Sequence, residues 1–415
     1  MPYMPRPTVR SRALVAVLAA GAFGVWTAQA AAEVVTLEPD PRFARYGSTV
    51  RVAGAITPAR QTAVQIYRRT AGGWQLVAED HSGNAGRYSL TIAARRPGRY
   101  VARTDAAQST PALLRIRPIL TTSFAGLKLV GAPLRLTGRL RPADAGKLVL
   151  RIGDRTRAVA VGARGRFAAK LPTQSSGILR LRLVLRPESN FVALARRLRP
   201  RIRAPFIGIG SRGPAVRFLE RRLDSLKYVL RDVDRGFHGD TLEAVYAFQK
   251  VERLRRDGVV TPTVWHALAR ARTPRAAVER GSHIEVDKSR QVLFEVRRGR
   301  VVRIVHVSTG ATGNTPLGRW RIYRKSPGFN SLSMYYSMYF LRGFAVHGYH
   351  SVPPWPASHG CVRMPNWFAP RLYSRWGLGS VIWVLPTTSR KSPLWRRPGA
   401  LRNASVPTAL GPVGP

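Results

Sequence analysis

One cysteine, Cys361, stands among 415 residues, and three of the eight histidines, His347, His350 and His359, lie within fifteen residues of it. A thiol attacks a carbonyl as the thiolate, and a neighbouring imidazole is the usual means of removing its proton at neutral pH. Gly360 lets the backbone approach closely, so amides beside Cys361 could form an oxyanion hole. Pro353, Pro354 and Pro356 stiffen the loop between His347 and Cys361 and would hold the two in register. A solitary cysteine is ordinarily a small buried hydrophobe, and the histidines around this one turn the reading to a nucleophile. Zinc is the competing use of His347, His350, His359 and Cys361. No carboxylate lies in that segment to orient the imidazoles, and Arg363 would repel a cation. The reading therefore requires no metal and no cofactor. His350 stands as a rival base to His347.

The whole pattern is Phe344-Ala345-Val346-His347-Gly348-Tyr349-His350 followed by Ser358-His359-Gly360-Cys361-Val362-Arg363-Met364. Upstream stand Val307-Ser308-Thr309-Gly310 and Thr315-Pro316-Leu317-Gly318-Arg319-Trp320. Together they resemble the L,D-transpeptidase catalytic domain, the YkuD fold, over residues 281–386. The resemblance implies that Cys361 is the nucleophile and that His347 acts as general base and then as acid. Gly348 belongs to the histidine element, while Ser358, His359 and Gly360 shape the oxyanion side. Arg363 would hold a substrate carboxylate or the loop backbone, and Tyr336 and Trp320 would bind substrate. The implied reaction is acyl transfer through a thioester on Cys361 to the side-chain amine of a neighbouring peptidoglycan stem, a cross-link. Water as acceptor would make it an L,D-carboxypeptidase, and an inert domain would make it a structural wall protein. Carbapenem-type inhibitors are expected on the same thiolate. Papain-like wall hydrolases place Cys before His, and sortases lack the Ser-His-Gly-Cys context.

The elements that must carry this site read as mainly β. Ile284-Glu285-Val286, Val292 to Val296 and Val301 to Val307 alternate as strands, with Arg298-Gly299 as a turn. Before them, apolar spacing turns helical: Val216, Leu219 and Leu223 share a face, as do Leu242, Val245 and Phe248. Thr261-Pro262 is an N-cap followed by proline at the first helical position, opening a third helix through Trp265 and Leu268. With the Gly236-to-Thr241 loop and Asp257-Gly258-Val259, residues 206–272 resemble the small three-helix peptidoglycan-binding domain. From 33 to 204 the chain reads as short strands, and it repeats. Val50-Arg51-Val52-Ala53-Gly54 matches Leu134-Arg135-Leu136-Thr137-Gly138, 84 residues on, and Gly86-Arg87-Tyr88 matches Gly165-Arg166-Phe167, 79 on. Two antiparallel sandwiches follow, 33–117 and 118–204, similar to bacterial immunoglobulin-like wall domains.

Composition and the first residues give the compartment. Lys and Arg number 69 against 21 Asp and Glu, a net charge of +48 spread along the chain, which suits an anionic partner. Arg6, Arg10 and Arg12, an apolar run from Ala13 and then Ala28-Gln29-Ala30 read as a signal peptide over 1–30, cleaved or retained as an anchor. Export to the cell envelope turns the charge from nucleic acid, for which no recognition motif appears. The expected partners are peptidoglycan stem peptides and glycan, with anionic wall polymer held through the basic surface. Residues 387–415 lack apolar periodicity and read as a disordered basic tail.

Overall fold

Alternation of apolar and polar residues along Thr49–Thr57 and Arg87–Ala93 buries one side of each strand and exposes the other. These strands pair with each other and, with Val34–Val35 and Glu38–Asp40, make a four-stranded sheet. A five-stranded sheet runs in the order Phe43–Arg45, Ala112–Arg117, Gly98–Arg103, Ala63–Thr70, Gly73–His81. The computed structural model describes residues 32–386, and the chain parts between Ile116 and Arg117 into two compact units. The expected signal peptide and basic tail lie outside the described residues.

The second unit opens with a related arrangement. Ile119–Gly126, Leu134–Arg141 and Arg166–Leu171 form one sheet; Arg155–Val159, Gly146–Ile152, Leu181–Pro187 and Leu194–Leu198 form another. The internal repeat is visible in the bonds. Ile56 N–H donates to Gly86 O at 2.9 Å, and Leu140 N–H to Gly165 O at 2.8 Å. Gly54 lies beneath Tyr88 and Gly138 beneath Phe167, where a Cβ would stand 2.6 and 2.5 Å from the ring Cζ. Both sets of sheets are compatible with immunoglobulin-like sandwiches.

Three helices follow, α1 (Pro214–Ser225), α2 (Gly239–Val251) and α3 (Pro262–Arg270). Their buried faces carry Val216, Leu219 and Leu223, then Val245 and Phe248, then Trp265 and Leu268. Thr261 caps α3 by accepting from Val264 N–H at 3.4 Å, and Trp265 Nε1–H donates to Pro205 O at 2.7 Å.

The last domain has two sheets. The first, of five strands, is ordered Arg300–His306, Val292–Arg297, His283–Asp287, Val381–Leu385, Gly318–Arg321. The second, of four, is ordered Arg324–Phe329, Tyr335–Leu341, Phe344–Tyr349, Val362–Pro365. Ile284, Val305, Met338, Val346, Val362 and Ile382 share one buried core, against which α4 (Ala369–Arg375) packs Leu372. The outer edge at Arg300–His306 does not stay open. Ile304 N–H donates to Lys227 O at 2.7 Å and Val229 N–H to Ile304 O at 3.1 Å, so the segment after α1 covers it. No described helix is long and apolar enough to cross a membrane.

Candidate active site

Phe344–Tyr349 and Val362–Pro365 are parallel neighbours, with Val346 opposite Val362 and His347 opposite Arg363. A parallel pair needs a crossover of about a dozen residues, which residues 350–361 supply. Period-two alternation then sorts the side chains. Val346, Val362 and Met364 enter the core, and His347, Tyr349, Cys361 and Arg363 line a cavity of about 470 Å³ on the other face. Leu332, Met334, Gly343, Phe344, Ser358 and His359 complete its wall. His347 and Cys361 therefore meet at one cavity, His347 on one strand and Cys361 at the residue before its parallel neighbour.

The electrostatics define a neutral pair. His347 Nδ1 lies 2.8 Å from Gly348 O. A carbonyl only accepts, so Nδ1 carries the proton and the Nε2 lone pair is left for a thiol. Burial, aided by the Arg363 charge, pulls the imidazole down to about 4, against a smaller upward pull from the Gly348 carbonyl. Burial pushes the Cys361 thiol up, while the Ala345 N–H and the Arg363 charge pull it down. At neutral pH the site thus rests as thiol and imidazole, and Cys361 Sγ–H points to Gly343 O at 3.6 Å. Such a pair supports acyl transfer in which proton removal accompanies attack.

The Ser-His-Gly-Cys turn is fastened from within. Ser358 Oγ donates to Cys361 O at 2.6 Å and accepts Gly360 N–H at 3.0 Å. The Gly360 amide is consequently engaged inside the turn rather than offered to a substrate. Gly360 has φ +134°, and a Cβ there would stand 2.5 Å from Phe344 Cε1. Thr315 Oγ1 donates to Gly360 O at 2.7 Å and accepts Gly310 N–H at 2.9 Å, while Asn314 Nδ2 donates to His359 O at 2.8 Å. Ser308 and Arg363 exchange both backbone bonds, and Thr309 O accepts the N–H groups of Ala357 and Ser358. The two upstream sequence elements are thereby placed under the turn.

Arg363 Nη1 donates to Ala357 O at 3.2 Å, and its guanidinium lies over the Tyr349 ring at 4.1 Å. His359 is exposed at the cavity rim. Gly348 sits on the core face, where a Cβ would be 2.8 Å from Ala369 Cβ. His350 is exposed, stacks on Tyr349 with ring centres 4.3 Å apart, and does not line the cavity. Two residues expected at the substrate are elsewhere. Trp320 pairs opposite Ile382 in the five-stranded sheet and packs on the core. Tyr336, at φ +50°, packs edge-on between Tyr335 and Tyr373. The cavity takes Leu332, Met334, Phe344 and Tyr349 instead; the last two belong to the pattern around His347, and no motif distinguishes the first two.

Residues 281–384 match the family model of the L,D-transpeptidase catalytic domain, and residues 212–268 that of a putative peptidoglycan binding domain. The chain is 36% identical to residues 123–326 of an L,D-transpeptidase from Xylanimonas cellulosilytica DSM 15894, over 44% of this chain and 99% of that one, with a TM-score of 0.43. It is 19% identical to an L,D-transpeptidase from Mycobacterium tuberculosis H37Rv, over 25% of this chain and 57% of that one, with a TM-score of 0.24. It is 13% identical to the LD transpeptidase LdtMt1 in complex with imipenem, over 65% of this chain and 99% of that one, with a TM-score of 0.23. No curated protein matches it.

Proposed function

The chain belongs to the L,D-transpeptidase family, and we propose that it cross-links peptidoglycan by cysteine acyl transfer. The observation that carries this is the bond from His347 Nδ1–H to Gly348 O, which leaves Nε2 as a base on the face that Cys361 shares. As Cys361 Sγ attacks the donor stem's carbonyl, Nε2 takes the thiol proton and an S–C bond forms. The tetrahedral oxyanion develops beside the Ser358–Cys361 turn, with the Arg363 charge close by. Its collapse breaks the C–N bond, and His347 returns the proton to the departing D-amino acid. The side-chain amine of a neighbouring stem then attacks the thioester, losing its proton to His347 as the thiol is restored. With water in that step the product is a shortened stem, and carboxypeptidase activity results.

Intact-mass measurement tests the nucleophile: a carbapenem should add its mass once to the protein and not to Cys361→Ala. A persistent adduct on the Ala variant would remove the assignment. Incubation with a muropeptide pair then separates the acceptors, since a cross-linked mass requires an amine and a shortened stem requires water. Neither product would leave a wall-binding structural protein.

The partners follow the same compartment. The amino-terminal pattern supports export to the envelope, and the family match of residues 212–268 supports a wall-binding role for the three helices. An anionic wall polymer suits the sheet of Gly146–Ile152, Leu181–Pro187 and Leu194–Leu198. On its exposed face Arg151 stands opposite Arg182, Arg182 opposite Arg197, and Lys147 opposite Arg186. Like charges directly opposed across strands repel, and a polyanion laid across them relieves the repulsion. Asp154 and Glu188 approach this face only at 3.9 Å from Arg151 and Lys147.

A further inference from the structure

The loop that carries the chain from His350 to Ala357 is held chiefly through its carbonyls, since Pro353, Pro354 and Pro356 have no N–H. Val352 O lies 2.6 Å from His306 Nε2, Pro354 O accepts Arg256 Nη1–H at 3.3 Å, and Trp355 O accepts Ser308 Oγ–H at 2.7 Å. Two of these grips lead out of the catalytic domain into the three-helix domain. Arg256, just beyond α2, also donates from Nη2 to Ser289 O at 3.1 Å. His306 is backed by Lys250 near the end of α2, with Nζ 2.6 Å from Nδ1. Lys250 Nζ also donates to Gln291 O and Val307 O, both at 2.8 Å.

Val352 O only accepts, so His306 Nε2 carries the ring proton and Nδ1 is the acceptor that faces Lys250. Lys250 is wholly buried, and burial, with the Arg256 charge nearby, pulls its amine well below the usual lysine range. Its Nζ meets Gln291 O, Val307 O and the His306 ring, and none of these is a carboxylate. A polar group so buried is tolerated only when it is hydrogen-bonded. The groups it grips lead to the active loop from both sides. His306 holds Val352, while Gln291 holds Thr309 through two side-chain bonds of 2.7 Å. Thr309 O in turn receives Ala357 and Ser358 at 2.9 and 3.0 Å.

We propose that Lys250 and Arg256 are positioning residues for the transfer reaction: the wall-binding domain sets the loop that holds base and nucleophile in register. The three helices are then part of the catalytic machine as well as its anchor. This rests on the acyl-transfer reading, and the wild-type protein controls for it: failure of wild-type acylation by a carbapenem would reject that reading, independently of any variant.

The test uses the full chain and the variants Lys250→Met, Arg256→Ala and Arg256→Lys. Displacement of a reacting group by about 1 Å costs on the order of a hundredfold. Lys250→Met should therefore lower the limiting acylation rate by about 10–100-fold, with little change in the half-saturating carbapenem concentration. Arg256→Ala should lower it by about tenfold, and Arg256→Lys, which keeps a donor, should recover most of the loss. If Lys250→Met does not fold, the Arg256 pair decides. Folded variants that melt earlier yet acylate at the wild-type limiting rate would show these residues to be interdomain adhesive only, and the proposal would be overturned.

Discussion

At the scale of single residues the site is a neutral thiol beside a neutral imidazole, and its pH behaviour follows. His347 is pulled to about 4, so its base form persists far below the ordinary histidine range. The acid limb of carbapenem acylation should accordingly fall near 4 rather than near 6.5. Cys361 is pushed up, so its alkylation by iodoacetamide should keep rising with pH beyond the midpoint of an ordinary thiol. Arg363 lowers both groups, because a nearby positive charge favours thiolate and disfavours imidazolium. Arg363→Met should therefore move both midpoints upward, and a fall in either would contradict the assignment. His347→Ala should reduce acylation by ~10²–10⁴-fold, the usual worth of a general base, with His350→Ala mild by comparison. That Cys361 and His347 would stand together was legible from type and spacing, and they line one cavity. Trp320 and Tyr336 pack against the core rather than line the cavity, a distinction that sequence does not carry because an aromatic on a strand reads alike on either face.

At the scale of elements the turn before Cys361 is the sensitive part. Gly360→Ala would place a Cβ against Phe344 at a φ that L-residues avoid; a cost of about 1–3 kcal/mol is expected from such strain. Thermal unfolding and acylation should both suffer. Thr315→Val removes a buried hydroxyl that serves Gly360 O and Gly310 N–H, and an unpaired buried group costs about 1–3 kcal/mol. A melting temperature and acylation rate equal to wild type would show that the turn does not depend on this hydroxyl. On the sandwich, Arg182→Gln with Arg197→Gln should flatten the salt dependence of binding to inorganic polyphosphate, by roughly one to two in the log–log slope. Helix faces and strands were legible because their apolar periods are strong. The role of Lys250 was not, since a lysine on a helix normally marks the solvent side, and only the docked catalytic domain reverses that. The covering of the Arg300–His306 edge by Lys227–Val229 was equally hidden, because pairing between distant segments leaves no local pattern.

At the scale of the whole chain the question is which parts the +48 molecule needs for turnover and which for retention. Sequence reading takes residues 33–117 and 118–204 as two similar sandwiches. Residues from Arg117 onward form one compact unit with the site. Within that unit, Ser176 N–H donates to His266 Nε2 on α3 at 3.2 Å, and Gly131 packs where a Cβ would meet Ala269 Cβ at 3.1 Å. The sheets of residues 118–204 therefore touch the three-helix region, whose Arg256 in turn donates to Pro354 O in the loop before Cys361. Among the described residues, the groups that line the cavity and hold its turn all come from the second unit. Deleting 33–116 should leave the acylation rate and turnover on a soluble muropeptide within about twofold of wild type, well under the 1.4 kcal/mol that a tenfold change represents. Deleting 118–204 should lower the melting temperature of the remainder, because it uncovers the α3 surface at His266 and Ala269. Differential scanning calorimetry and carbapenem acylation on the two deletions measure this directly. Equal melting and equal rates in both would give the two regions the same passive role, whereas a loss confined to the second deletion assigns them different work.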